Sequence, residues 1–314
     1  MYYNKFIEKI KKFDVITIFR HINPDADAFG SQLGLKYWLN LNFPEKEVYV
    51  LGDENSNDDF FPKMDVISDV LIEQSLAIIV DSATSERIDG NYNKASYIIK
   101  IDHHVDVDPY GDLNIVEVKS AATCQLLAKM FFSFEEYKMN KNIAETLYRG
   151  LLTDTLAFKT SNTTSESLLI ASKLSEYGLD IPQLNRDMFD KSLSEFIFSS
   201  KLRSKLQLSK DKKLGYVIMN LDEVNNSGLE AHQIRSNVSE FNAIKELEIW
   251  CVFTQKIENN QILYDGSLRS KTIVINELAQ KFNGGGHKNA CGVKDLTKED
   301  LNIIINELTL LSSK

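Results

Sequence analysis

Two of the chain's five histidines stand side by side, His103 and His104, directly after Asp102 and an apolar run, in YIIKIDHHVDVDP (97–109). Three further segments carry groups of the same kind. HINPDADAFGS supplies His21, Asp25 and Asp27, VDSAT supplies Asp81, and LLTDT supplies Asp154. Taken singly, each could be a turn residue, a helix cap or a satisfied structural histidine. Taken together they would crowd like charges, which is costly unless cations neutralise them. A mixed oxygen and imidazole set suits Mn²⁺, or a divalent ion of similar size, better than a thiolate-seeking metal. About six donors exceed what one ion needs, so two divalent cations are expected. Ions ~3.5–4 Å apart can share one carboxylate and stabilise an in-line displacement at phosphorus. Asp81, at a strand tip between the other groups, is the expected bridge. Neighbouring residues leaving a strand point to opposite sides. His103 is therefore expected as a metal ligand and His104 beside a phosphate.

These groups need a scaffold that brings strand ends together. DVITIFR (14–20), EVYVLG (47–52), LAIIVD (76–81), YIIKID (97–102) and LNIVEV (113–118) are short β-branched runs, some apolar throughout. Such strands belong to a parallel sheet covered on both faces, whose sites form outside the carboxyl ends. Helical patterns follow over roughly 121–133, 140–152, 164–178 and 182–208. The fold class is α/β: a doubly wound, mainly parallel sheet domain (1–190), a helical linker (191–212) and a smaller α+β domain (213–314). In the last part, KLGYVIMN, KELEIWCVFTQ and QILYDGSLRS read as strands, with helices near 273–282 and 298–311.

Glycines let backbone approach an anion and aim N–H groups at it, especially where they lead into a helix N-terminus. The run Gly284, Gly285, Gly286 ahead of His287 fits that use, and with Arg269, Ser270 and Lys288 it makes a small phosphate clamp. Lys271 and Lys281 read as solvated. Net charge is −9, from 45 acids against 36 bases, which argues against a protein that coats long nucleic acid. Three scattered cysteines offer no disulfide framework, and no apolar run approaches the ~18 residues of a membrane span. A soluble, cytoplasmic protein with no membrane partner is expected.

HINPDADAFGS, VDSAT, IDHH and LLTDT, in that order, resemble the four motifs of the DHH phosphoesterase superfamily. GSLRS (266–270) followed by FNGGGHKNACG (282–292) is similar to the DHH-associated domain of its nano-RNase and phosphoadenosine-phosphate phosphatase branch. The likeness spans nearly the whole chain. It implies His21 and Asp25 on one metal, Asp27, His103 and Asp154 on the other, and Asp81 between them. It also implies His104 beside the scissile phosphate, with Asp102 supporting the histidine pair. The glycine tail would contact the nucleotide end of the substrate. Two positions depart from the pattern: Leu156 stands where glycine is expected, and Lys159 where arginine is common. Lysine keeps the charge for substrate binding but loses the bidentate fork.

The resemblance implies a Mn²⁺-dependent phosphodiesterase. Its substrates would be short RNA and dinucleotides (nano-RNA, pApA, cyclic di-AMP), cut to nucleoside 5′-monophosphates, and it would also dephosphorylate 3′-phosphoadenosine 5′-phosphate (pAp). A homodimer is compatible with it. An inorganic pyrophosphatase or exopolyphosphatase would have less need of a nucleotide-gripping domain. A non-catalytic nucleotide sensor would have less need of a complete ligand set.

Overall fold

The computed structural model describes residues 2–53 and 63–313. The chain divides into two compact units, Met1–Asp190 and Lys191–Lys314. In the first, β1 (Val15–Phe19), β2 (Glu47–Val50), β3 (Leu76–Val80), β4 (Tyr97–Asp102) and β5 (Leu113–Val116) form one parallel sheet, in the order β2-β1-β3-β4-β5. Every residue of β1 and β3 is buried, which accounts for their uninterrupted apolar sequences. The α-helices described in this unit are α1 (Tyr2–Lys12), α2 (Ala26–Asn42), α3 (Asp69–Glu73), α4 (Thr123–Phe132), α5 (Lys141–Asp154), α6 (Ser165–Ser175) and α7 (Ile181–Phe189). The strand order reverses between β1 and β3. A crevice opens at such a switch point, outside the carboxyl ends of the strands.

α2 and α5 cross closely because small residues face each other there. A Cβ on Gly30 would lie 2.9 Å from Thr146 O, and one on Gly150 would lie 3.0 Å from the Asp27 backbone. Close helix approach thus sets where Asp27, in the first turn of α2, stands relative to the end of α5.

The second unit holds β6 (Gln207–Leu208), β7 (Leu214–Met219), β8 (Ile249–Glu258), β9 (Gln261–Ser270), β10 (Gly285–His287) and β11 (Ala290–Leu296), in the order β10-β11-β9-β8-β7-β6. Its helices are α8 (Leu193–Ser204), α9 (Leu221–Asn225), α10 (Ala231–Ser236), α11 (Asn276–Gln280) and α12 (Lys298–Ser312). Strand residues alternate between two cores. Ile249, Cys251 and Phe253 pack with Leu301, Ile304 and Leu308 of α12, whereas Trp250 and Val252 pack with Phe198 and Leu202 of α8.

The fold class is as the sequence leads one to expect, with two local corrections. The helical pattern over 182–208 is two helices, because Ser192 and Glu195 form a capping box that starts α8 afresh after Asp190. The segment expected as a helical linker is helical in α8, whose Phe198 and Leu202 are buried in the core of the second unit. The glycine run does not lead into a helix but lies in the β10–β11 hairpin. There Gly286 has φ +132, and a Cβ on Gly284 would collide with Gly292 O. Among the described residues no helix is long and apolar enough to cross a membrane.

Candidate metal centre

The carboxyl ends of β1, β3 and β4 carry His21, Asp81 and Asp102–His104, and α2 and α5 bring Asp25, Asp27 and Asp154 to the same place. Three overlapping sets of ligand atoms lie within 4.8 Å of one another: His21, Asp25, Asp81; Asp27, His103, Asp154; and Asp81, His103, His104. Asp81 touches both sides. Its Oδ2 is 3.5 Å from His21 Nε2 and its Oδ1 is 3.6 Å from His103 Nε2. The chain turns sharply at this residue, with φ +53, a conformation uncommon for a non-glycine and frequent at functional sites.

Each side chain is held by a second contact. Asp25 is indeed a helix cap: its Oδ1 accepts from the backbone N–H groups of Asp27 and Ala28, both at 3.0 Å. Its other oxygen lies 3.9 Å from His21 Nε2, so capping and ligation do not compete. Nδ1 of His21 donates to Ile22 O at 2.8 Å, and Nδ1 of His103 donates to Ser120 O at 3.2 Å. Both therefore turn Nε2 towards the crevice, the arrangement that orients a metal-ligating imidazole; burial lowers the His21 pKa, but its contacts with Asp81 and the Ile22 carbonyl outweigh that and raise it. The two histidines do not point to opposite sides: the His104 ring lies 4.3 Å from that of His103, and its Nδ1, 3.7 Å from Asp81 Oδ1, donates to Asp102 Oδ1 at 2.8 Å. Among the described residues its Nε2 has no hydrogen-bond partner.

The N-terminus of α4, which the sequence reading missed, is part of the centre. Asp27 accepts from the N–H groups of Thr123 (2.7 Å) and Cys124 (2.9 Å), and Thr123 Oγ1 donates to Asp81 at 3.0 Å. Helix N-termini favour nearby anions. Two buried cations were also missed: Arg20, on Asp89 at 2.8 Å and Asp53 O at 2.8 Å, and Lys100. Their signal was visible, since a charged residue inside an apolar strand must be paired.

The loop after Asp154 explains one departure. Leu156, Ala157 and Phe158 all adopt left-handed backbone (φ +46, +56 and +64), where glycine is ordinarily favoured. Thr155 secures the turn: its Oγ1 donates to Leu151 O and accepts from Phe158 N–H, while its carbonyl accepts from Lys159 N–H. Lys159 is exposed nearby.

In the second unit, strand register pairs His287 with Ala290 and Ala290 with Arg269, so Arg269 and His287 lie in one row on one face with a small residue between them. His287 is exposed and Arg269 half-buried. Ser270 faces the other way: its hydroxyl donates to Ile273 O at 2.5 Å and accepts from Asn289.

The acid crowd has an electrostatic signature. Burial, then the charge of Asp81, pushes the Asp154 carboxyl up to about 7. The same two causes raise Asp27 well above the carboxylate range. Burial lowers His103, which keeps it a neutral ligand. Between the ordinary carboxylate value and about 7, the folded chain thus keeps an Asp154 proton that the unfolded chain has lost. Metal-free stability should therefore fall as pH rises through that window. A divalent ion that displaces the proton reverses the penalty and binds more tightly as pH rises. Mn²⁺ in excess should raise the melting temperature by about 5–10 °C, and more at pH 8 than at pH 6. Thermal melts with and without metal check this. An equal shift at both pH values would refute it.

Residues 15–151 match the DHH family, N-terminal domain, and residues 212–311 match the DHHA1 domain. The chain is 34% identical over 308 residues to a Streptococcus mutans protein named probable bifunctional oligoribonuclease and PAP phosphatase NrnA, covering 96% of each. It is 30% identical to the Bacillus subtilis protein named bifunctional oligoribonuclease and PAP phosphatase NrnA, covering 97% of each. An exopolyphosphatase-related protein from Bacteroides fragilis shares the fold with a TM-score of 0.85 at 23% identity, over all of this chain and 98% of that one.

Proposed function

This chain belongs to the DHH family of phosphoesterases, with a DHHA1 domain behind the first, and from that premise we propose a Mn²⁺-dependent hydrolase of very short nucleic acids in the cytosol. Its substrates are nano-RNAs and linear dinucleotides such as pApA, with cyclic di-AMP a further candidate, cut to nucleoside 5′-monophosphates. It also removes the 3′-phosphate of pAp. The names of the Streptococcus and Bacillus relatives support the substrate class. The observation that carries the chemistry is the linking of three ligand sets, two through Asp81 and two through His103.

In this reading His21 and Asp25 hold one cation and Asp27, His103 and Asp154 the other, with Asp81 shared. The donors fit such a pair: oxygens and imidazoles without thiolate, in a setting where burial and mutual repulsion already disfavour the metal-free anions. When bound, the two cations supply an activated water and neutralise charge developing on the phosphoryl group. His104 presents Nε2 to the phosphate, oriented by Asp102 through Nδ1. Catalysis lies in 1–190 and substrate gripping in 213–314, where Arg269, His287 and the backbone of Gly284–Gly286 take a terminal phosphate. Lys159 contributes charge beside the cleavage site, and Ser270 shapes the turn behind Arg269.

Rates on pApA, cyclic di-AMP, short RNAs, pAp and pyrophosphate, measured side by side with Mn²⁺, test the reading. The dinucleotide, short RNAs and pAp should be turned over well ahead of pyrophosphate; the reverse order would overturn it. Arg269→Ala or His287→Ala should lower kcat/KM for pApA by about 10–100-fold, as expected for a lost charge-assisted hydrogen bond. A small activated diester, bis-p-nitrophenyl phosphate, should be cut almost as fast as before. An equal loss on both substrates would remove the clamp from the proposal.

A further inference from the structure

Lys100 interrupts the apolar sequence of β4, and its side chain is fully buried. A buried ammonium persists only where it is paired. Nζ donates to Asp106 Oδ1 at 2.9 Å, to Asp108 O at 3.0 Å and to Ala83 O at 3.1 Å. These acceptors lie on two loops. Ala83 follows Asp81 at the end of β3, and Asp106 and Asp108 follow His103 and His104 at the end of β4. One ammonium thus ties together the loops that carry the shared carboxylate and the histidine pair.

A fourth group faces it. Asp102 Oδ2 lies 3.8 Å from Nζ, buried and without a hydrogen-bond partner among the described residues, while Oδ1 of the same carboxylate holds His104. Unpartnered buried carboxylate oxygen is costly, and a neighbouring cation offsets that cost.

We infer that Lys100 is a positioning residue: it sets the spacing of Asp81 against His103 and His104, and it steadies Asp102 in its hold on His104. It touches no substrate. The inference rests on the metal-dependent hydrolysis proposed above and extends it to a residue behind the centre.

The test uses the full chain and Lys100→Met, which keeps the length and removes the charge and donors. At saturating Mn²⁺, kcat for pApA should fall about 10–100-fold with KM nearly unchanged, the loss typical when a partner behind a metal site is removed. Asp102→Asn should cost much less in the Lys100→Met background than in the native chain, because both changes break one linkage. A filler role would lower melting temperature without this coupling. A folded Lys100→Met protein with native kcat, or losses that simply multiply, would overturn the inference. Should Lys100→Met not fold, Asp106→Ala removes the loop tether from the surface side; a reduced kcat supports the inference and a native one sinks it. Mn²⁺ titration by electron paramagnetic resonance keeps the two readings apart. If the native chain binds Mn²⁺ but leaves pApA intact, the proposed function fails and Lys100 is judged on affinity alone. About tenfold weaker binding in Lys100→Met would then support it, and native affinity would refute it.

Discussion

Asp81→Asn should cut turnover of every substrate by about a thousandfold or more, on the order of 4 kcal/mol of transition-state stabilisation. The substitution is mild in every respect but charge. Asparagine has the same size, tolerates the left-handed backbone at φ +53, and can still accept from Thr123 Oγ1. What it loses is the anion that faces His21 on one side and His103 on the other. In the metal-free chain the change works in both directions: burial raises the Asp81 carboxyl, but His21, His103 and His104 outweigh it and hold it below its ordinary value, a stabilisation the amide forfeits. The Asp81 charge is, after burial itself, what raises Asp27 and Asp154, and a neutral amide relieves that repulsion. The rise in melting temperature on adding Mn²⁺ should shrink in parallel with the rate. Lost activity with an undiminished metal-induced shift would show that Asp81 does not join the two cation positions.

The first domain was legible in the sequence because its constraints are local. Strands buried on both faces leave an unbroken apolar record, as in LAIIV, and the site of a doubly wound sheet follows from where such runs end. The six residues expected as ligands, with His104, come together, since each is within a few residues of a strand or helix end. What escaped was long-range and backbone-borne. Nothing local in SAATCQ says that the N–H groups of Thr123 and Cys124 will grip Asp27, 96 and 97 residues away.

The second domain was harder to read for a related reason. The glycine run was read as an anion-binding approach, yet Gly285 and Gly286 lie in a hairpin strand, and Gly284 and Gly286 answer to crowding from Gly292 and Ala290 on the neighbouring strand. Strand pairing also decides which side chains share a face. Arg269 and Ser270 are adjacent in sequence, but the pleat turns one towards His287 and the other into the turn held by Asn289. Short helices such as α9 and α10 leave too little periodicity to be seen.

The histidine pair yields the second large effect, because its members should fail in different ways. His103 offers Nε2 towards Asp81 and Asp154, and burial lowers its pKa, as suits a neutral ligand. His103→Ala should therefore weaken Mn²⁺ binding, and part of its lost rate should return at higher Mn²⁺. Burial works against the charged form of His104 too, but the hydrogen bond it donates to Asp102, with the charges of Asp102, Asp81 and Asp154, outweighs burial and lifts the pKa above the ordinary histidine value. A half-exposed imidazole whose charged form is favoured in this way can give a hydrogen bond, or a proton, to phosphate oxygen. His104→Ala should lower kcat by about 100- to 10,000-fold, the usual worth of a positioned acid–base group, and no excess of Mn²⁺ should restore it. The sign of the pH effect follows from the working form. If protonated His104 is required, native kcat declines as pH rises through its raised pKa, and that limb disappears in His104→Ala. Rescue by metal, or an alkaline limb that survives the substitution, would return His104 to the role of a ligand and leave the phosphate without its partner.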